Sequence, residues 1–182
     1  STETMLYDGL ERSYILYVPD SYSQNTPVPL VLNLHGYSSN AGQQMIYSDF
    51  YNIADDEGFI LVHPEGSVDD NGFQFWSLES MSEIDDVNFL SALIDIIASE
   101  YNINTDRVYS MGMSNGGFMS YQLACQLSDK IAAIASVTGS MNESQIESCS
   151  PERPIPVMQI HGTMDPTVLY AGNPLWGITS IE

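Results

Sequence analysis

Gly112-Met113-Ser114-Asn115-Gly116-Gly117 follows the apolar run 108–111 and precedes a helix-like run, 118–127. Strand, tight turn and helix form the context in which a G-x-S-x-G string becomes a nucleophile elbow, with the Ser114 hydroxyl raised at the edge of a sheet. Gly112 and Gly116 suit that reading. The turn strains the serine backbone and brings strand and helix too close for a Cβ on its neighbours. The same string met by chance, or in a purely structural turn, would not require this flanking pattern.

Working outward, residues 5–7 and 11–18 flank Asp8-Gly9, a two-residue hairpin turn that predicts an antiparallel opening. The run 28–34 is almost unbroken in its apolarity and ends at His35-Gly36, as a strand buried on both faces would. Met45, Ile46, Phe50 and Ile53 recur at helical spacing up to Gly58, predicting one helix that turns these side chains inward; 59–62 is a second buried strand. Residues 64–83 contain Asp69-Asp70-Asn71-Gly72 and the aromatics Phe73, Phe75 and Trp76, and read as a long loop of the kind that walls a site. Asp85-Asp86 then opens a helix striped by Val87, Leu90, Leu93, Ile94 and Ile97, with both acids assigned to capping its positive end. Strands at 107–111, 131–137 and 156–160 complete an alternation with the helix 115–127. The expected class is therefore α/β: a mainly parallel sheet with helices on both faces, right-handed crossovers and an N-terminal antiparallel hairpin.

The 182 residues, 43% of them apolar, suffice for one sizeable core, so a single domain spanning 1–182 is expected. Asp and Glu number 24 against 4 Lys and Arg, a formal charge of −20 that repels phosphate backbones and anionic lipid. Nucleic acid and membrane surfaces are thereby disfavoured as partners. The acids lie singly or in pairs among periodic segments, as on a solvated surface suited to saline or secreted conditions. No run approaches the roughly 18 apolar residues of a membrane span, and no signal-like segment follows Ser1. Cys125 and Cys149 lack metal-site spacing, which argues against zinc. A disulfide is the favoured use, tying the end of the post-elbow helix to the loop before Pro151, with two free thiols as the alternative. Asn142-Glu143-Ser144 matches the glycosylation pattern, which is common by chance.

In parallel sheets, ligands bind beyond the carboxyl ends of the strands. Three ends carry candidate chemistry: His35-Gly36-Tyr37, Ser114, and His161-Gly162-Thr163-Met164-Asp165. A serine hydroxyl attacks an ester only with a base, an acid to orient that base, and donors for the oxyanion. Ser114 is the candidate nucleophile, and Asp165 falls where the acid belongs in the chain order Ser, Asp, His. The main-chain N–H groups of Tyr37 and Asn115 are the candidate oxyanion hole. Trp76 is a candidate for stacking on a sugar or phenolic ring, set against a role as a loop-anchoring core residue, and Tyr37 and Trp176 share that ambiguity. Such acyl transfer needs neither metal nor organic cofactor.

Leu34-His35-Gly36-Tyr37, then Asp85-Asp86-Val87 and the elbow, then His161-Gly162-Thr163-Met164-Asp165-Pro166-Thr167-Val168 occur in order across nearly the whole chain. Together they resemble the polyhydroxybutyrate depolymerase and feruloyl esterase-like branch of the α/β-hydrolases. The resemblance implies the α/β-hydrolase fold and an extracellular carboxylesterase acting on plant polysaccharide-linked or polyester substrates, of feruloyl, acetyl-xylan or polyhydroxyalkanoate type. It matches Ser114 and Asp165 to the family nucleophile and acid, and a cysteine bridge in some members supports the pairing of Cys125 with Cys149.

The same resemblance places the catalytic histidine in a loop after one further strand, and no such loop is found before Glu182. The fold is therefore expected to be C-terminally incomplete, with feeble ester hydrolysis and an uncovered apolar sheet face and edge. His35 belongs to the oxyanion-loop pattern and His161 precedes the acid turn, which leaves His63 as the least unfavourable substitute base. Two rival classes are a catalytically silent relative acting as a binding module and a prolyl-oligopeptidase-type serine peptidase. The second is disfavoured by the absence of any propeller-like repeat.

Overall fold

The computed structural model describes residues 1–78 and 84–181. Its main sheet has seven strands, and residues 67–68 and 74–75 form a separate two-stranded hairpin; numbered in chain order with that hairpin as β5 (Ser67–Val68) and β6 (Gln74–Phe75), the main sheet runs β1 (Thr2–Tyr7), β2 (Leu10–Tyr17), β4 (Ile60–Pro64), β3 (Val28–Leu34), β7 (Ile103–Met113), β8 (Ile131–Val137), β9 (Val157–Ile160). β1 (Thr2–Tyr7) and β2 (Leu10–Tyr17) form the expected hairpin, with Asp8 and Gly9 both at positive φ, 48° and 76°. β2 runs antiparallel to β4 (Ile60–Pro64). From there β4, β3 (Val28–Leu34), β7 (Ile103–Met113), β8 (Ile131–Val137) and β9 (Val157–Ile160) pair in parallel. The architecture is the mainly parallel α/β sheet of the α/β-hydrolases.

Helix placement follows from the alternation of side chains along β7, where Val108, Ser110 and Gly112 are buried and Tyr109, Met111 and Met113 point to the other face. On the first face lie α3 (Asp86–Glu100) and α4 (Asn115–Gln126), in contact with each other and with β7. Ser110 and Ser120 hydroxyls meet there at 2.9 Å. The core packs between them: Leu30, Leu32 and Leu34 of β3 against Phe89, Leu90, Leu93 and Ile97 of α3 and Met119 and Leu123 of α4. Each fully buried aliphatic side chain contributes on the order of 2 kcal/mol of hydrophobic stabilisation. On the opposite face α1 (Ala41–Ser48) and α2 (Tyr51–Glu57) cover β3 and β4. The two crossovers, β3 to β4 and β7 to β8, run in opposite directions across the sheet. Both are right-handed only with helices on opposite faces.

The expected single helix over 45–58 is two helices. Asp49 adopts the left-handed conformation (φ 48°, ψ 48°) and caps α1. Ile46 and Ile53 are exposed, and the residues turned inward are Ala41, Gln44 and Ala54. A polar contact overrides the apolar spacing here: Gln44 Nε2 donates to buried Asn33 Oδ1 at 2.8 Å, and Asn33 Nδ2 donates to Ser48 Oγ at 2.8 Å. The predicted loop 64–83 contains β5 (Ser67–Val68) and β6 (Gln74–Phe75), and its residues 79–83 lie outside the described ones. α5 (Glu143–Ser148) was not anticipated. Asn142 is its N-cap, in a reciprocal capping box with Gln145, so this amide has a structural task within the presumed glycosylation pattern. Cys125 and Cys149 are bridged, joining the last turn of α4 to the end of α5 as expected.

On the face shared with α1, Val31, Tyr109, Met111, Ala133, Ala135 and Met158 line an open apolar trough of about 410 Å³. Among the described residues β9 lies at one edge of the sheet, opposite β1, with Val157, Met158 and Ile160 all exposed.

Candidate active site

The chain leaves β3 toward β4 on one side and β7 toward β8 on the other, so the crevice between the carboxyl ends of β3 and β7 is the topological switch point of the sheet. Gly36-Tyr37 and Ser114 occupy its two banks. A Cβ added to Gly36 would stand 3.6 Å from the Ser114 Cβ and 3.4 Å from the Met113 carbonyl oxygen. Ser114 has φ 51° and ψ −118°, a region that L-residues occupy at a cost of about 1–3 kcal/mol. Its N–H donates to Val137 O at 2.8 Å, and its carbonyl accepts from Gly117 and Phe118 as α4 begins. The glycine requirement is steric on both sides. A Cβ on Gly112 would strike the Gly116 main chain, and one on Gly116 would strike the Leu34 carbonyl and lie 2.6 Å from that of His35.

Among the described residues, the main-chain N–H groups of Tyr37 and Asn115 donate to no other group. Two unengaged amides on opposite banks of the crevice can receive a developing negative oxygen. The loop 35–41 that carries Tyr37 is fastened to segment 65–76. Gly66 N donates to His35 Nε2 (2.9 Å), Trp76 Nε1 to His35 O (2.9 Å), Ser38 N to Gln74 O (2.8 Å) and Ala41 N to Glu65 Oε1 (3.0 Å). Tyr37 Oη donates to Asp69 Oδ2 at 2.7 Å, which raises the phenol pKa and lowers that of the carboxylate. Glu65 is half-buried and its pKa is raised by desolvation, against the opposing pull of the Ala41 amide and Gln74. Asp86 Oδ1 accepts from Arg12 (2.7 Å) and Ser67 Oγ (2.9 Å), and its Oδ2 accepts from Ser77 N (2.8 Å). Arg12 also donates to Glu65 O and lies 3.7 Å over the Phe89 ring. Asp85 alone is the helix cap assigned to this acidic pair. Asp86 is a buried anchor for segment 65–77, and neither Arg12 nor Glu65 was picked out by sequence reasoning.

Trp76 is 1% exposed, so its ring offers no face on which a sugar or phenol could stack. The substrate-binding assignment is corrected to the loop-anchoring alternative: the indole packs beside His35, with ring centroids 5.0 Å apart. Tyr37 remains half-exposed beside Phe73, their centroids 5.8 Å apart. The Trp176 side chain lies outside the described atoms.

Asp165 sits in the turn after β9, its Oδ1 accepting from Thr167 N (2.8 Å) and Val168 N (3.0 Å). Its Oδ2 lies 3.5 Å from His161 Nε2, but that nitrogen donates to Val168 O at 2.7 Å. His161 Nδ1 accepts from Gln159 at 3.1 Å. His35 is neutral: Nε2 accepts the Gly66 amide, so its proton is on Nδ1 and bonds to Gly36 O, and burial lowers its pKa. His63 is fully buried, and desolvation lowers its pKa to about 4 against the weaker opposing pull of the Asn33 main chain. None of the three hydrogen-bonds Ser114. No cluster of three metal-ligating side chains occurs among the described residues.

Residues 12–173 match the family described as Esterase PHB depolymerase. The chain is 33% identical over 162 residues to a bifunctional acetylxylan esterase/xylanase of Neocallimastix patriciarum, covering 89% of this chain and 22% of that protein. It is 31% identical over 164 residues to feruloyl esterase B of Piromyces equi, covering 88% and 30%. Among solved structures, a thermostable esterase superposes with a TM-score of 0.70 at 23% identity, over 97% of this chain and half of that one. An acetyl xylan esterase from Aspergillus awamori gives 0.66 at 17% identity, over 78% and 53%. The chain thus spans less than a third of the length of these two curated relatives.

Proposed function

Because this chain belongs to the Esterase PHB depolymerase family, we propose that it carries the nucleophile and oxyanion half of a serine carboxylesterase. The reading rests above all on the strained Ser114 beside two unengaged amides, that of Asn115 on its own bank of the switch-point crevice and that of Tyr37 on the other. Ser114 Oγ attacks the ester carbonyl carbon as its proton passes to a general base. The carbonyl oxygen becomes an anion received by the N–H groups of Tyr37 and Asn115, each supporting about 3 kcal/mol of transition-state stabilisation. Collapse expels the alcohol, and water then releases the acid from Ser114. Asp165 is the acid that orients the base, its second oxygen being the one not fixed by the turn. We assign the base to none of the three histidines, since the nitrogens of His35 and His161 are committed to other partners and His63 is sealed in the core.

The names of two relatives point to acetylxylan and feruloyl esters as substrates, and the family description to polyhydroxybutyrate. The half-exposed Tyr37 and Phe73 rings offer apolar contact at the rim for the acyl group. An acidic surface and a disulfide both suit an extracellular setting.

A fluorophosphonate probe tests the reading: it should label the whole protein at Ser114, and Ser114→Ala should abolish the label. Labelling that survives in Ser114→Ala would remove the esterase assignment. Methyl ferulate, acetylated xylan and polyhydroxybutyrate, compared on the whole protein, would then rank the substrates.

A further inference from the structure

The two banks of the crevice belong to different parts of the chain, and an oxyanion hole works only if their amides are held at a fixed separation. The loop 35–41 is tied to segment 65–76 by the side-chain and main-chain bonds described above. That segment must in turn be tied to the elbow. Among the described residues the hydrogen bonds that make this tie come from one side chain: Asn115 Oδ1 accepts from Trp76 N at 2.6 Å, and Asn115 Nδ2 donates to Trp76 O at 3.1 Å. A carboxamide is suited to this task because it presents one acceptor and one donor side by side, as a neighbouring strand would. Trp76 then passes the constraint on, its indole N–H holding the His35 carbonyl two residues before the Tyr37 amide.

We propose that the Asn115 side chain is a positioning residue: by gripping both main-chain groups of Trp76 it sets where the Tyr37 amide stands relative to the Asn115 amide and Ser114. This role is separate from that of the Asn115 main-chain N–H, which any residue at 115 would supply. It rests on the reading of Tyr37 and Asn115 as oxyanion donors. Aspartate at this position would keep the bond from Trp76 N but face the Trp76 carbonyl with a second oxygen. Alanine would lose both bonds.

The test compares the whole protein with its Asn115→Ala and Asn115→Asp variants, following the second-order rate of Ser114 phosphonylation by a fluorophosphonate and the kcat and KM for p-nitrophenyl acetate. Thermal melts monitored by circular dichroism report on the fold. The expected result is a labelling rate and kcat lowered on the order of ten- to a hundredfold in both variants at a temperature where they are folded, with KM within about twofold. A general loosening of the fold would lower the melting temperature without this split. If Asn115→Ala does not fold, Asn115→Asp, which keeps shape and one bond, carries the test. A folded variant that labels within twofold of the parent overturns the proposal, as does a loss confined to KM. Failure of the underlying reading has a different signature: the parent itself is then unlabelled, or Ser114→Ala labels equally.

Discussion

Ser114 leaves β7 in the middle of the sheet, whereas Asp165 follows β9 at its edge. Around Ser114 the main chain is so close that glycine is required at 112 and 116, and the facing loop is bonded to a segment itself anchored on buried Asp86. Around Asp165 the contacts are those of its own turn and His161, and Met164 beside it is 92% exposed. One proposed triad residue is thus built into the core and the other rides on a four-residue strand. The contrast teaches that the two parts of one proposed site can be held by contacts of very different reach. On the proposed reading, the part that would meet charge with fixed dipoles is braced, while the part that would orient a partner is carried by a short local turn.

Substitutions in the braced region should therefore cost most. Gly116→Val drives side-chain carbon into the Leu34 and His35 carbonyls, neither of which can yield without moving β3. It should destabilise by about 3 kcal/mol or more, giving little folded protein in a circular dichroism melt. Asp86→Ala leaves the Arg12 guanidinium buried without its partner; about 3 kcal/mol should be lost in urea unfolding, together with fluorophosphonate labelling, because segment 65–77 loses its anchor. Under the opposite face, His63 should make stability depend on pH. Its pKa is about 4 when folded against about 6.5 unfolded, so the unfolded chain gains a proton that the folded one refuses. No proton-linked cost arises above pH 6.5, and stability falls as pH drops from 6.5 toward 4, by up to about 3 kcal/mol. In urea titrations at pH 7 and pH 4.5, His63→Leu should show a smaller pH difference than the parent; an unchanged difference would mean that His63 finds a partner. At the edge, Met158→Glu should alter stability by under about 0.5 kcal/mol while reducing binding of the apolar dye ANS to the trough. A large loss there would break the contrast.

Local pattern carried much of this. The strand 28–34, the stripe from Val87 to Ile97 and the elbow were legible because each is a run whose period matches the surface it meets. The α5 capping box was legible as well, since Asn142 and Gln145 stand at the required spacing, but the glycosylation pattern overlaid it. Three features had no local signal. Asp86 pairs with Arg12 across 74 positions, Trp76 makes contacts to His35 and Asn115 about 40 residues away, and Gln44 is turned inward by its bond to Asn33. All rest on polar contacts between different elements, to which apolar periodicity is blind.

Ser114 sits in a backbone region that glycine enters freely and serine does not. Ser114→Gly should therefore melt later than the parent while taking no label from a fluorophosphonate, a gain in durability obtained by deleting the reagent. In this chain the residue best placed for reaction is also a local weak point of the architecture. A library screened for heat resistance alone would drift toward discarding the hydroxyl, so selection for robustness here has to be coupled to selection for turnover.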